Sequence, residues 1–89
     1  MKIKPSFVLR QLLDTWVVLP LADRTVNFNG MMTLNESGVL LWNTLEAGTD
    51  VDGLVAALTA EYAVSQQQAR EDVEEFLVKL RGIGCLDEA

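Results

Sequence analysis

The side chains that usually carry catalysis in a small protein are nearly all missing from this chain. It has no histidine and one cysteine, Cys85. Those absences remove Ser/His and Cys/His nucleophilic pairs and every ordinary zinc constellation. Thirteen carboxylates remain, but none is paired by spacing within apolar surroundings that would tune it for proton transfer. Cys85 stands among Ile83, Gly84 and Leu86, a context in which a thiol acts as a small buried hydrophobe. The expectation is a protein that binds rather than an enzyme, working without metal or cofactor.

A main-chain edge can still do recognition chemistry. In the stretch Met31-Met32-Thr33-Leu34-Asn35-Glu36-Ser37-Gly38, a strand-like run hands over directly to helical spacing. Asn35 is a good N-cap, because its side-chain oxygen can accept a first-turn N–H, and Glu36 puts negative charge at the positive end of the helix dipole. A strand that runs straight into a helix leaves an edge whose unpaired amides and carbonyls invite a partner.

The flanking elements must position that edge. Phe7 to Leu13 reads as a first strand, Asp14-Thr15 as a turn and Trp16 to Leu19 as a second strand, with Pro20 marking a strand end. The simplest role for Trp16 is core packing. Leu21 to Gly30 reads as a loop closed by the turn signal Asn29-Gly30, and Met31 to Leu34 as the third strand. A first helix is predicted from Glu36 to Glu46, closed by Gly48. Thr49 or Asp50 caps a second, carrying Val51, Leu54, Val55, Leu58 and Tyr62, and close packing would justify Gly53 within it. Ser65 opens a third in a capping-box pattern with Gln68. Its apolar stripe is Ala69, Val73, Phe76, Leu77 and Leu80, with Ile83 a candidate to extend it, its carboxylates form a solvated face, and Gly82 and Gly84 end it. The order predicts one domain over residues 1–89, an α+β, winged-helix-like fold in which a small three-stranded antiparallel sheet is followed by three helices.

Charge narrows the partners. The formal net charge is −6, and it is lopsided: Lys2, Lys4, Arg10 and Arg24 outnumber Asp14 and Asp23, whereas residues 25–89 set three cations against eleven carboxylates. Such a surface repels phosphate backbones, so nucleic acid is not the expected partner. No apolar run approaches the ~20 residues that cross a bilayer. Neither is there a signal peptide at Met1-Lys2-Ile3-Lys4-Pro5, so the expected location is cytoplasmic with no membrane partner.

The ordered set Leu34-Asn35-Glu36-Ser37-Gly38, Leu41-Trp42, Thr49-Asp50-Val51-Asp52-Gly53-Leu54, Leu58, Tyr62-Ala63-Val64, Asp72-Val73, Phe76-Leu77, Leu80 and Gly82-Ile83-Gly84-Cys85-Leu86 resembles the PqqD-like family. The resemblance spans roughly residues 5–86. It implies a RiPP recognition element, a peptide chaperone that binds the leader of a ribosomally synthesised precursor peptide by β-strand addition. Such a domain presents the precursor to a separate modifying enzyme, commonly a radical-SAM protein. Carried onto this chain, the peptide-binding groove would be edged by Met31, Met32, Thr33 and Leu34, with Arg70, Val73, Leu77 and Arg81 as its helical wall. The stretch Ala22 to Gly30 is longer than the family pattern, and folded over the edge it would block the site. Two alternatives stand beside this: a winged-helix DNA-binding regulator, disfavoured by the carboxylates on the third helix, and a structural subunit forming a homodimer through the open edge.

Overall fold

The computed structural model describes residues 1–21 and 32–88; the expected loop over 22–30, and Met31, lie outside the described residues. Two strands, β2 (Phe7–Leu12) and β3 (Thr15–Pro20), form a hairpin, and β4 (Met32–Leu34) adds to β3, giving the antiparallel order β2-β3-β4. Phe7, Leu9, Trp16, Val18, Met32 and Leu34 alternate onto one face of this sheet and pack into or against the core, as a two-residue side-chain period requires. The turn is Leu13-Asp14 rather than Asp14-Thr15, because Leu12 pairs with Thr15. That register places Leu13 at φ +55°, a left-handed conformation costly for a side chain with a Cβ.

Three helices follow: α1 (Glu36–Ala47), α2 (Val51–Glu61) and α3 (Gln66–Ile83). Each starts at a capping side chain. Asn35 Oδ1 accepts the Gly38 N–H at 2.9 Å, Asp50 Oδ1 that of Gly53 at 2.8 Å, and Ser65 Oγ that of Gln68 at 3.0 Å. Asp50, not Thr49, is thus the cap of α2. The capping box of α3 is only half formed, since the Gln68 side chain donates forward to Asp72 Oδ1 at 2.9 Å. Gly82 lies inside α3, and Gly84 at φ +75° is the residue that terminates it. Gly53 is explained locally: a Cβ there would collide with the Thr49 hydroxyl.

The helices meet the sheet over a continuous core in which Trp42, Leu45, Leu54, Val73, Leu77 and Leu80 are fully buried. The α+β, winged-helix-like order predicted from sequence is therefore the order observed. It gains one feature that two-residue strands were too short to signal. β1 (Lys2–Ile3) pairs antiparallel with β5 (Leu86–Asp87), and the Lys4 N–H donates to the Cys85 carbonyl at 2.8 Å. A further pair of bonds joins Met1 and Thr49: the Met1 amino group donates to the Thr49 carbonyl at 2.8 Å, and the Thr49 N–H to the Met1 carbonyl at 3.0 Å. This clasp ties the segment before β2 to the C-terminus of α1 and to the segment after α3.

Candidate functional site

The backbone phase of β4 follows from the hairpin. The Leu21 N–H donates to the Ser6 carbonyl at 2.7 Å, and in an antiparallel ladder bonded pairs alternate with non-bonded ones. Stepping along the register by twos, Leu19, Val17 and Thr15 turn their amide groups toward β2. Trp16 and Val18 therefore turn theirs toward β4, where they face Leu34 and Met32. Thr33, opposite Val17, is left with both its N–H and its C=O directed away from β3. Among the described residues no strand pairs with that edge. Thr33 is exposed, Met32 half-buried and Leu34 buried, so the edge has an apolar inner face and an open rim.

A groove of about 590 Å³ opens where β4 ends. Its lip is the first turn of α1, Asn35 to Gly38, and its apolar floor is Leu41, Leu58, Tyr62, Val64 and Phe76. Gly38 permits the close approach of lip and strand, since a Cβ there would lie 3.2 Å from the Leu34 Cβ, tighter than ordinary contact. Glu36, Asp72, Glu75 and Lys79 bring the charges. Lys79 Nζ sits 3.6 Å from Glu75 Oε1, with both side chains mostly in solvent, a pairing of small worth.

Met32, Thr33 and Leu34 form the open edge next to this groove without lining it, and Met31 lies outside the described residues. Val73 and Leu77, at 0% and 1% exposure, are core residues that back the fold instead of facing solvent. Arg70 and Arg81 are exposed, but neither lines the groove. At 100° per residue they project from one flank of the α3 core stripe, and Asp72, Glu75 and Lys79 from the other. Each arginine already has a partner. Arg70 Nη2 donates to Asp52 Oδ1 at 2.8 Å, and this bond, with the charge of Asp52, raises its pKa. Arg81 donates through Nε and Nη2 to both oxygens of Glu88, at 3.0 and 2.8 Å. That grip raises the Arg81 pKa and lowers that of Glu88.

Of the α3 residues that do line the groove, Asp72 and Glu75 were legible only as part of a solvated face and Phe76 only as part of the core stripe. Tyr62 was legible as the last apolar position of the second helix, and Val64 only as part of the family pattern. Burial pushes the Cys85 thiol up to about 11, and its Sγ lies 3.7 Å from the Leu80 carbonyl. No group of three or more potential metal ligands occurs among the described residues. None of the described helices is long and apolar enough to cross a membrane.

The chain is similar along its whole length to a structure described as TbiB1 in complex with the TbiA(beta) leader peptide. The two share 28% identity and a TM-score of 0.78, over 100% of this chain and 98% of that one. It shares its fold with lasso peptide synthetase B1 complexed with the leader peptide, at 23% identity and a TM-score of 0.74, over 94% of this chain and 93% of that one. A comparison with curated proteins finds no match. The family model for coenzyme PQQ synthesis protein D matches residues 15–86, most of the chain, and the protein belongs to the PqqD family.

Proposed function

We propose that this protein binds the leader segment of a ribosomally synthesised precursor peptide as an added strand along β4 and presents the precursor to a separate modifying enzyme. One observation carries the reading: the outward N–H and C=O of Thr33, on an edge that no described strand covers, beside a groove with an apolar floor. Edge addition draws affinity from main-chain bonds and specificity from pockets for alternate side chains. The added strand runs antiparallel to β4, matching the rest of the sheet and the stronger pairing geometry. Met32, Thr33 and Leu34 form its track, and Val73 and Leu77 hold α3 in place from within. Arg70 and Arg81 lie on the other flank of α3, held in their pairs with Asp52 and Glu88. The similar protein TbiB1, solved with a leader peptide, supports the same occupant here.

The role is binding and not catalysis, in keeping with the missing histidine and the buried thiol. A radical-SAM enzyme is the maturase class that the family resemblance favours. DNA binding draws no support from α3, whose exposed face carries Glu71, Asp72, Glu74 and Glu75, where base recognition needs cationic and amide side chains. The test is a titration of isotope-labelled protein with the leader of a precursor encoded beside its gene. Amide shifts concentrated at residues 32–38 and 72–79 are expected. Unmoved amides there, together with a dimer on gel filtration, would transfer the edge to self-association.

A further inference from the structure

The groove beyond β4 combines an apolar floor with an acidic rim, which narrows the side chain it can accept. Three of its lining residues, Glu36, Asp72 and Glu75, are carboxylates, against one ammonium, Lys79. Asp72 accepts from the Gln68 side-chain amide through Oδ1 and keeps Oδ2 for another donor, and the Lys79–Glu75 pair is long and solvated. The positive end of the α1 dipole would by itself invite an anion. Here the Asn35 side chain and the Glu36 carboxylate already serve it. An apolar side chain would fill the floor and leave the rim unanswered, and an anion would be repelled by it. Lysine and arginine alone pair a long apolar stem with a cationic head, and such stems lie readily across apolar and aromatic surface.

Resting on the leader-binding reading, we propose that the groove is a specificity site for a lysine or arginine of the bound peptide. Its stem crosses Tyr62 and Phe76, and its head faces Asp72 and Glu75. The polarity of strand addition places this residue in the sequence. An antiparallel partner of β4 starts beside Leu34 and ends beside Met32, so the groove receives residues that precede the one paired with Thr33, by about two to four positions. The selected leader therefore has a basic residue on the N-terminal side of its strand-forming segment.

The experiment uses a synthetic leader peptide from the precursor encoded beside the gene, together with versions in which each Lys or Arg is replaced by Gln in turn. Each is titrated into the wild-type protein and into the Asp72→Asn/Glu75→Gln double variant, whose changes are exposed and leave the core intact. One replacement, N-terminal to the strand segment, should weaken binding to wild type by about fivefold. The double variant should bind the unaltered peptide about as weakly and lose the discrimination, while the amide shifts at Met32–Leu34 persist in every case. Shifts at β4 with no replacement mattering by more than about twofold, or a double variant that binds as tightly as wild type, would overturn the groove assignment and leave strand addition standing. Unmoved β4 amides would overturn both.

Discussion

Replacing Thr33 by proline tests the strand-edge geometry most directly. The register places the Thr33 N–H outside the β3–β4 ladder, so proline removes a donor that the free fold does not use. Met32 before it is already extended, which is what a residue preceding proline prefers, and proline is tolerated on edges whose N–H faces solvent. The free protein should therefore lose less than about 1 kcal/mol. Binding should suffer more, because the leader's carbonyl would meet a ring in place of an N–H. One lost main-chain bond with its acceptor left unpaired costs about 2 kcal/mol, or about thirtyfold in Kd. Met32→Pro and Leu34→Pro are the contrast: their N–H groups point into the ladder, so each leaves a β3 carbonyl without its donor and should destabilise the fold itself by about 2 kcal/mol or more. Calorimetric titration with the leader, thermal unfolding, and amide exchange, in which Thr33 should be faster than Met32 or Leu34 until peptide is added, read the three effects separately. A folded Thr33→Pro protein that binds with wild-type affinity would refute the deduced phase of β4.

Other consequences can be measured without a ligand. Leu77→Ala empties a site of 1% exposure and should lower stability by about 3 kcal/mol in urea unfolding. Leu13 is 95% exposed at φ +55°, so Leu13→Gly relieves left-handed strain without losing burial. The gain is about 0.5 kcal/mol after the entropic penalty of glycine, seen as a Tm rise of about 3 °C. Because folding raises the Cys85 pKa to about 11, the native state favours the neutral thiol. Its contribution is whole below the unfolded-state pKa near 8.5 and is lost as pH climbs through about 11, up to about 3 kcal/mol. Urea midpoints across that window should fall in the wild type and stay flatter in Cys85→Ala.

Much of the architecture was written locally. Asn35, Asp50 and Ser65 cap their helices because an Asn, Asp or Ser oxygen reaches an N–H three residues on whatever the rest of the chain does. The stripe Ala69, Val73, Phe76, Leu77, Leu80 is buried because 3.6-residue periodicity leaves it one face to bury. The order of strands and helices followed from such signals, whereas the choice of the third strand as the peptide-binding edge came from the family resemblance carried by the motifs between Leu34 and Leu86.

Tertiary structure decided what no local rule could. The outward direction of Thr33 depends on a bond between Ser6 and Leu21 and on the register of a two-residue hairpin. A one-residue slip there would turn that amide inward. The resemblance put Arg70, Val73, Leu77 and Arg81 on a common wall, but the fold buries the two apolar residues and gives the arginines to Asp52 and Glu88, partners set by how α3 lies against α2 and the C-terminal segment. The groove draws its residues from α1, α2 and α3 and from the turn between the last two. Sequence determined the elements because caps and periodicity act over a few residues, and only the folded chain determined the site because it is made of groups that packing alone brings together.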